Sequence, residues 1–410
     1  MSSFRIIAWV VARNVWRVQI LATLSIYILT PTAAIAETKD SVDGLRRQLI
    51  HAAVVYDEKQ MHQVCSQICV QSSKAIPMLC DSMLHENGVV RWKAVETLGR
   101  IGPVATSSTT RQQLHRRLNR LAADADPDVR AATALCLARW FPSSQQAKRA
   151  IAELTQDRNG VVRANAWYVT WVLGNQPAAV SQLVALLPSK DWMAAEQAEA
   201  LLARIGAPAE DILLARCDSM AIESVTSGTK LPRCVRVLGT VSQSSKVRLR
   251  LNAYLDHCDL TVAREAAMSL VQHKEKAVDA FIAMLSHKEP ARCVIALRCL
   301  ERIGAAAKDS AATVRELLAC REQKIRLAAI ATLPALTNPD EDLLQAYVQL
   351  LSDRERSVRA ATLRGLQKWG SGANSVAPYV RKLIEDESQD YVQHTARKTL
   401  DILTEFEVSN

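Results

Sequence analysis

One block of sequence recurs about every 33 residues, most clearly at Val90-Arg91-Trp92-Lys93-Ala94-Val95-Glu96-Thr97-Leu98-Gly99-Arg100-Ile101-Gly102. A chain with such a period folds as a solenoid, because each unit is one supersecondary element that buries its apolar face only by stacking on its neighbours. The period therefore fixes the architecture. Function is left to the side chains that line the long surface.

Aligning later blocks on Arg91 places the equivalent site at Arg130, Arg163, Ala195, Gly228, Arg264, Cys293, Arg326, Arg359 and Gln393, ten units in all. Their spacings run from 29 to 39 residues, the scatter expected of turns that change length on a constant scaffold. Within a unit, the apolar positions one before this site and three, seven and ten after it share one helical face. Alanine dominates three residues on (Ala94, Ala166, Ala198, Ala267, Ala296, Ala329, Ala396), which implies close helix approach. Leucine dominates seven on (Leu98, Leu137, Leu202, Leu300, Leu333, Leu366, Leu400) and fills the space between layers. Eleven on, Gly102, Gly174, Gly206, Gly239, Gly304 and Gly370 are expected to end the helix, with Pro103, Pro177 and Pro208 preventing its resumption.

A second amphipathic stretch precedes each such helix, as in 114–121, 151–154, 180–187, 281–285, 314–318, 343–351 and 379–384, so each unit is a helix pair. Residues 37–73 supply N-terminal capping helices and 74–410 the solenoid. Repeat 5, around 227–239, fits the pattern worst and is expected to be distorted or to act as a joint.

Pro77 within Ala75-Ile76-Pro77-Met78-Leu79, the acid-rich turn, and the Val-Arg-x-x-Ala-x-x-x-Leu-Gly-x-Ile-Gly helix resemble bacterial HEAT repeats, including the HEAT-like repeats named after phycobilisome lyases. The resemblance spans about residues 65–404. It implies an all-α fold, a right-handed alpha-alpha superhelix of about ten helix-pair repeats. It is unspecific for activity, since scaffolds, lyases, hydroxylases and DNA glycosylases share that architecture.

The N-terminus carries a separate signal. Arg5, Arg13 and Arg17 precede an uncharged apolar run at 18–29, then Ala34-Ile35-Ala36 and Glu37. This pattern predicts a cleavable secretory signal over 1–36, the run being short for a bilayer span; an uncleaved anchor is the alternative. Cleavage predicts a periplasmic or secreted protein that is not integral to the membrane. Removing it lowers 51 Lys and Arg to 48 against 42 acids, a net of +6. That balance permits anionic polysaccharide, phospholipid headgroups or acidic proteins as partners, and export argues against nucleic acid.

Ten cysteines in an exported chain would ordinarily suggest disulfides. Here Cys136, Cys234 and Cys299 fall at one repeat position, six after the ladder site, and Cys258 and Cys320 at another, six before it. Residues so related lie at least two layers apart, so cysteine is expected to serve as a small buried apolar side chain. Cys65, Cys69 and Cys80 are the exception, close enough for a disulfide or a partial metal site, although His62 and His85 complete no zinc spacing and no metal or cofactor is expected.

The recurrent arginines Arg91, Arg130, Arg264, Arg326 and Arg359 read as a structural ladder. Asp124, Asp157 and Asp353 each stand six residues before an arginine and can bond that of their own or the adjoining repeat. Trp140 and Trp369 replace Ile101 and belong to the core. Arg163, Trp167 and Trp171 follow one another along one helical face, and Trp171 occupies a site otherwise small or polar. With Tyr168, Trp92 and Trp192 they make repeats 1 to 4 the aromatic-rich half, either extra packing between neighbouring layers or a candidate binding patch of the kind that anchors protein interfaces or sugar faces.

Catalysis finds little support. Resemblance to a HEAT-repeat deoxyhypusine hydroxylase would imply several His-Glu pairs for a di-iron site, and only His85-Glu86 is present. A bilin lyase is the alternative enzyme, although its cytoplasmic substrates conflict with export; a DNA glycosylase meets the same objection. The expectation is an exported, non-enzymatic scaffold that binds a protein or other macromolecule through its concave face, with a glycan-binding module as a further alternative.

Overall fold

The structure, a computed structural model, describes residues 41–223 and 231–404. The expected signal segment and Gly228 lie outside the described residues. Helices α1 (Val42–Val54) and α2 (Glu58–Gln71) come first, and ten helix pairs follow. These are α3 (Ile76–Ser82) with α4 (Gly88–Ile101), α5 (Ser108–Leu121) with α6 (Pro127–Trp140), α7 (Gln145–Leu154) with α8 (Gly160–Gly174), α9 (Pro177–Leu186) with α10 (Trp192–Ile205), and α11 (Glu210–Glu223) with α12 (Leu231–Val241). Then come α13 (Ser245–Tyr254) with α14 (Leu260–Leu270), α15 (Val278–Leu285) with α16 (Pro290–Ile303), α17 (Ala311–Glu316) with α18 (Gln323–Leu336), α19 (Glu341–Leu350) with α20 (Arg356–Trp369), and α21 (Ala377–Asp386) with α22 (Asp390–Thr404). No strand occurs among the described residues. The fold is an all-α superhelix.

The second helices of neighbouring pairs pack on one another from α4 to α22, whereas the first helices of neighbouring pairs meet sparsely. The closer row takes the inside of the curve. Small residues make that closeness possible: Ala94, Ala166, Ala198, Ala296, Ala329 and Ala396 are fully buried. The apolar core has two main stretches, one from Leu45 to Val169 and one from Ala164 to Leu403, with smaller clusters around Val162 and around Ala53, and Tyr168 on α8 packs against both main stretches.

A capping side chain marks the register of five of the second helices. Asn87, Asp126, Asn159, Asp191 and Asp259 accept hydrogen bonds from amides of the turn they begin, and the ladder site lies four residues later. By this rule Arg264 is not in the ladder. Ala263 holds the site, fully buried, and Ala266 rather than Ala267 takes the alanine position, while Arg264 points to solvent with its nearest carboxylate, Glu265, at 3.9 Å. In α12 the buried series Leu231, Cys234, Val235, Val237, Leu238 and Val241 puts the site at Leu231, three residues beyond the Gly228 alignment.

That shift corrects other expectations. Cys234 does not share a position with Cys136 and Cys299, and Cys258 is exposed rather than a buried apolar substitute. Gly239 lies inside α12, where a Cβ would stand 2.2 Å from that of Ser269, so its role is close helix approach and not helix termination. Gly174 is the last residue of α8, and Asn175 adopts the left-handed conformation after it (φ 48°, ψ 39°). At Gly102 and Gly206 the expected positive φ is present, 75° and 69°.

Candidate functional site

The ladder is built from two sets of bonds. Arg130 donates through Nη1 to the Asp124 and Ala125 carbonyls of its own turn, at 2.8 and 3.1 Å. Its Nε and Nη2 donate to the two oxygens of Asp157 in the next layer, at 2.7 and 2.8 Å. Arg91 repeats this with Asp124 and Arg359 with Glu387. Arg326 pairs with Asp353, Nε to Oδ2 at 3.0 Å. The carboxylate thus serves the arginine of the preceding repeat, while the arginine of its own repeat takes only backbone oxygens from that turn. Glu387 was missed from sequence because an acid other than Asp stands at the turn site.

Each turn acid also accepts the amide two residues on, as Asp124 does from Asp126 at 2.8 Å. Burial raises the Asp124 and Asp157 carboxyls, but their arginine and amide bonds outweigh it and both lie below 3.8. Across the middle of the chain the ladder is absent, with Ala195, Leu231, Ala263 and Cys293 at its sites, all buried. Arg292 fastens that region differently, its guanidinium reaching back to the carbonyls of Leu255 and His257.

The aromatic residues separate into core and surface. Trp140 is fully buried and donates Nε1 to the Leu98 carbonyl at 3.1 Å. Trp369 is half-buried, bonded to the Thr337 carbonyl and 4.7 Å from the Tyr347 ring, so it is a core residue only in part. Trp167, Tyr168 and Trp171 are half-buried and pack on the core edge. Tyr168 has the Trp171 ring at 6.2 Å and the Arg204 guanidinium 5.1 Å above it. Trp92 is half-buried with Lys93 Nζ 3.9 Å over its ring. Trp192, 41% exposed, begins α10 at the adjoining turn. The structure gathers Tyr168, Trp171 and Arg204, and leaves Trp92 two layers away.

Sequence inspection overlooked the position nine residues after the ladder site. It lies half a turn round the helix from the ladder site, on the exposed side of the second helices, the row that takes the inside of the curve. Arg100, Arg139, Arg204, Arg302 and Lys368 hold it, all exposed, with the half-exposed Val172 among them on α8. Lys368 pairs with Glu301, but among the described residues Arg100, Arg139, Arg204 and Arg302 have no carboxylate within ion-pairing distance. Their signal in the sequence was a basic residue near the end of several second helices.

All ten cysteines are free thiols. Burial pushes Cys234 and Cys293 up to about 11, and Cys65 and Cys80 also above the ordinary range, so these sulfurs are inert at neutral pH. Among the described residues no three His, Cys, Asp or Glu side chains converge to hold a metal ion, and no helix is long and apolar enough to cross a membrane.

Residues 311–401, the last three helix pairs, match the family described as HEAT repeats. The fold is a HEAT-type solenoid. It is similar to the solved karyopherin Kap121p, 12% identical with a TM-score of 0.52, over 96% of this chain and 48% of that one. Kap121p bound to the SUMO protease Ulp1p gives 12% identity and a TM-score of 0.53, over 91% and 47%. The chain therefore spans about half the length of these karyopherin structures. No curated protein matches it in sequence.

Proposed function

We propose that this HEAT-type solenoid is an exported, non-enzymatic scaffold whose concave face holds an acidic protein segment. The observation that carries the reading is the column Arg100, Arg139 and Arg204, exposed, unpaired with carboxylate among the described residues, and accompanied by Tyr168, Trp171 and Val172. Arginines engaged in the ladder fasten layers. Arg100 and Arg204 at this second position touch the preceding layer only through Ser66 and the Tyr168 ring, without an ion pair, and a guanidinium column with aromatic neighbours is the composition of a protein-binding surface. A solenoid of like fold, Kap121p, is solved in complex with a protein, Ulp1p.

Titration with labelled twelve-residue peptides tests the reading. A Glu/Ser peptide should bind, with affinity falling as salt rises, and a Lys/Ser peptide should not. Equal binding of both, or of neither, would remove the proposal. Export is tested separately by N-terminal sequencing of the native protein: the Arg5, Arg13, Arg17 and Ala34-Ile35-Ala36 pattern predicts a mature start at Glu37, and an intact Met1 form in the cytoplasm would contradict it.

A further inference from the structure

The ladder is broken at one joint in a way that leaves a binding group exposed. Arg163 keeps half of the recurring geometry, its Nη1 donating to the carbonyls of Asp157 and Arg158 at 2.7 and 3.1 Å. The head group is thus held by its own turn as in Arg91, Arg130, Arg326 and Arg359. In the next layer, however, Ser189 stands where those four meet a carboxylate. Its Oγ accepts the Asp191 amide at 3.1 Å, the same bond that Asp124 makes to Asp126, which identifies it as the structural equivalent of the missing acid.

The Nε and Nη2 edge of Arg163 consequently has no acceptor among the described residues, and the residue is half-buried at the rim between the third and fourth helix pairs. One acid borders it. Asp191 caps α10, its Oδ1 accepting the Met193 and Ala194 amides, and its Oδ2 lies by Gly160. The Arg91 joint is an internal precedent, because there Asp126 caps α6 beside Gly88 in the same manner while Asp124 fills the arginine fork. A joint of this shape accommodates a second carboxylate. Trp192, exposed directly after Asp191, supplies an apolar neighbour for an arriving side chain.

We propose that the Arg163 fork takes a carboxylate side chain of the acidic segment bound on the concave face, replacing from outside the ladder acid that Ser189 does not supply. This rests on the scaffold reading above and adds the site at which one residue of the partner is fixed. The pairing is planar and bidentate, so it selects an Asp or Glu side chain.

The experiment uses the full chain and the Glu/Ser peptide. Ser189→Asp fills the fork from within; it should weaken peptide binding about tenfold while raising the melting midpoint, since it restores a fastening present in four other layers. Ser189→Ala, which adds no acid, should bind as the parent does. Undiminished binding by Ser189→Asp, with its melting midpoint raised, overturns the site. If that variant binds normally while charge reversal at Arg100, Arg139 and Arg204 abolishes binding, the concave-face reading stands and the Arg163 site alone falls. Failure of the parent protein to bind overturns both.

Discussion

Arg130 and Asp157 meet edge to edge across the joint between the second and third helix pairs, with Nε to Oδ2 at 2.7 Å and Nη2 to Oδ1 at 2.8 Å. Both side chains are at most one-tenth exposed, and the arginine also holds two carbonyls of its own turn. One side chain therefore closes a turn and fastens the next layer to it.

Asp157→Asn should be costly because it leaves a buried guanidinium without its counter-charge, about 3 kcal/mol by the scale for breaking such pairs. The loss should also appear with acid. The folded-state carboxyls of Asp124, Asp157 and Glu387 lie below their ordinary values, so their contribution is complete above about pH 4.5 and disappears as pH falls through the lowered folded values. Denaturant melts from pH 7 to pH 3 should show the parent losing stability in that window, and Asp157→Asn losing less.

Packing gives a second expectation. Leu202 is fully buried between layers, and Leu202→Asp should cost several kcal/mol by burying an unpaired carboxylate. The natural surface comparison by sequence is Gln367, but it is half-buried and donates to Thr399 Oγ1 at 2.8 Å, so it is an unsuitable control. Gln345 on α19 is exposed, and Gln345→Asp should change stability by no more than about 0.5 kcal/mol. Equal melting shifts for Leu202→Asp and Gln345→Asp would contradict the layer register.

Those cases show how far the sequence could be read. The period, the helix pairs and most buried alanines and leucines follow from spacing, since a repeated layer has only one way to hide its apolar face. Register failed where the glycine was followed in place of the cap: Gly239 looked like a helix stop, and Asp259, four before Ala263, was the better marker. The ladder acids were legible as residues six before an arginine, but not their partners. A carboxylate reaches the preceding layer, and its own arginine holds backbone oxygens of the turn through Nη1 and the carboxylate of the following layer through Nε and Nη2. The concave column was hidden because its residues obey no apolar period and become a set only when the helices are stacked.

Trp171 separates packing from recognition. It is half-buried beside Tyr168, so Trp171→Ala should cost about 2 kcal/mol of stability, roughly half the 3–5 kcal/mol of a full large-to-small core change. Binding of the acidic peptide should weaken by about 2 kcal/mol at a temperature where the variant is fully folded. A denaturation curve and a titration on one preparation check both, and a stable variant with undiminished affinity would remove Trp171 from the surface.

Charge reversal along the concave column tests the central claim most directly. Arg100→Glu, Arg139→Glu and Arg204→Glu change three exposed residues that make no ion pair to another layer among the described residues, Arg100 touching only Ser66 Oγ and Arg204 only the Tyr168 ring across a joint, so the combined variant should melt within a few degrees of the parent. Titrated with the same Glu/Ser peptide at low and physiological salt, it should show no binding where the parent binds in a salt-dependent manner. A folded triple variant that binds the peptide as tightly as the parent would contradict the assignment of this face.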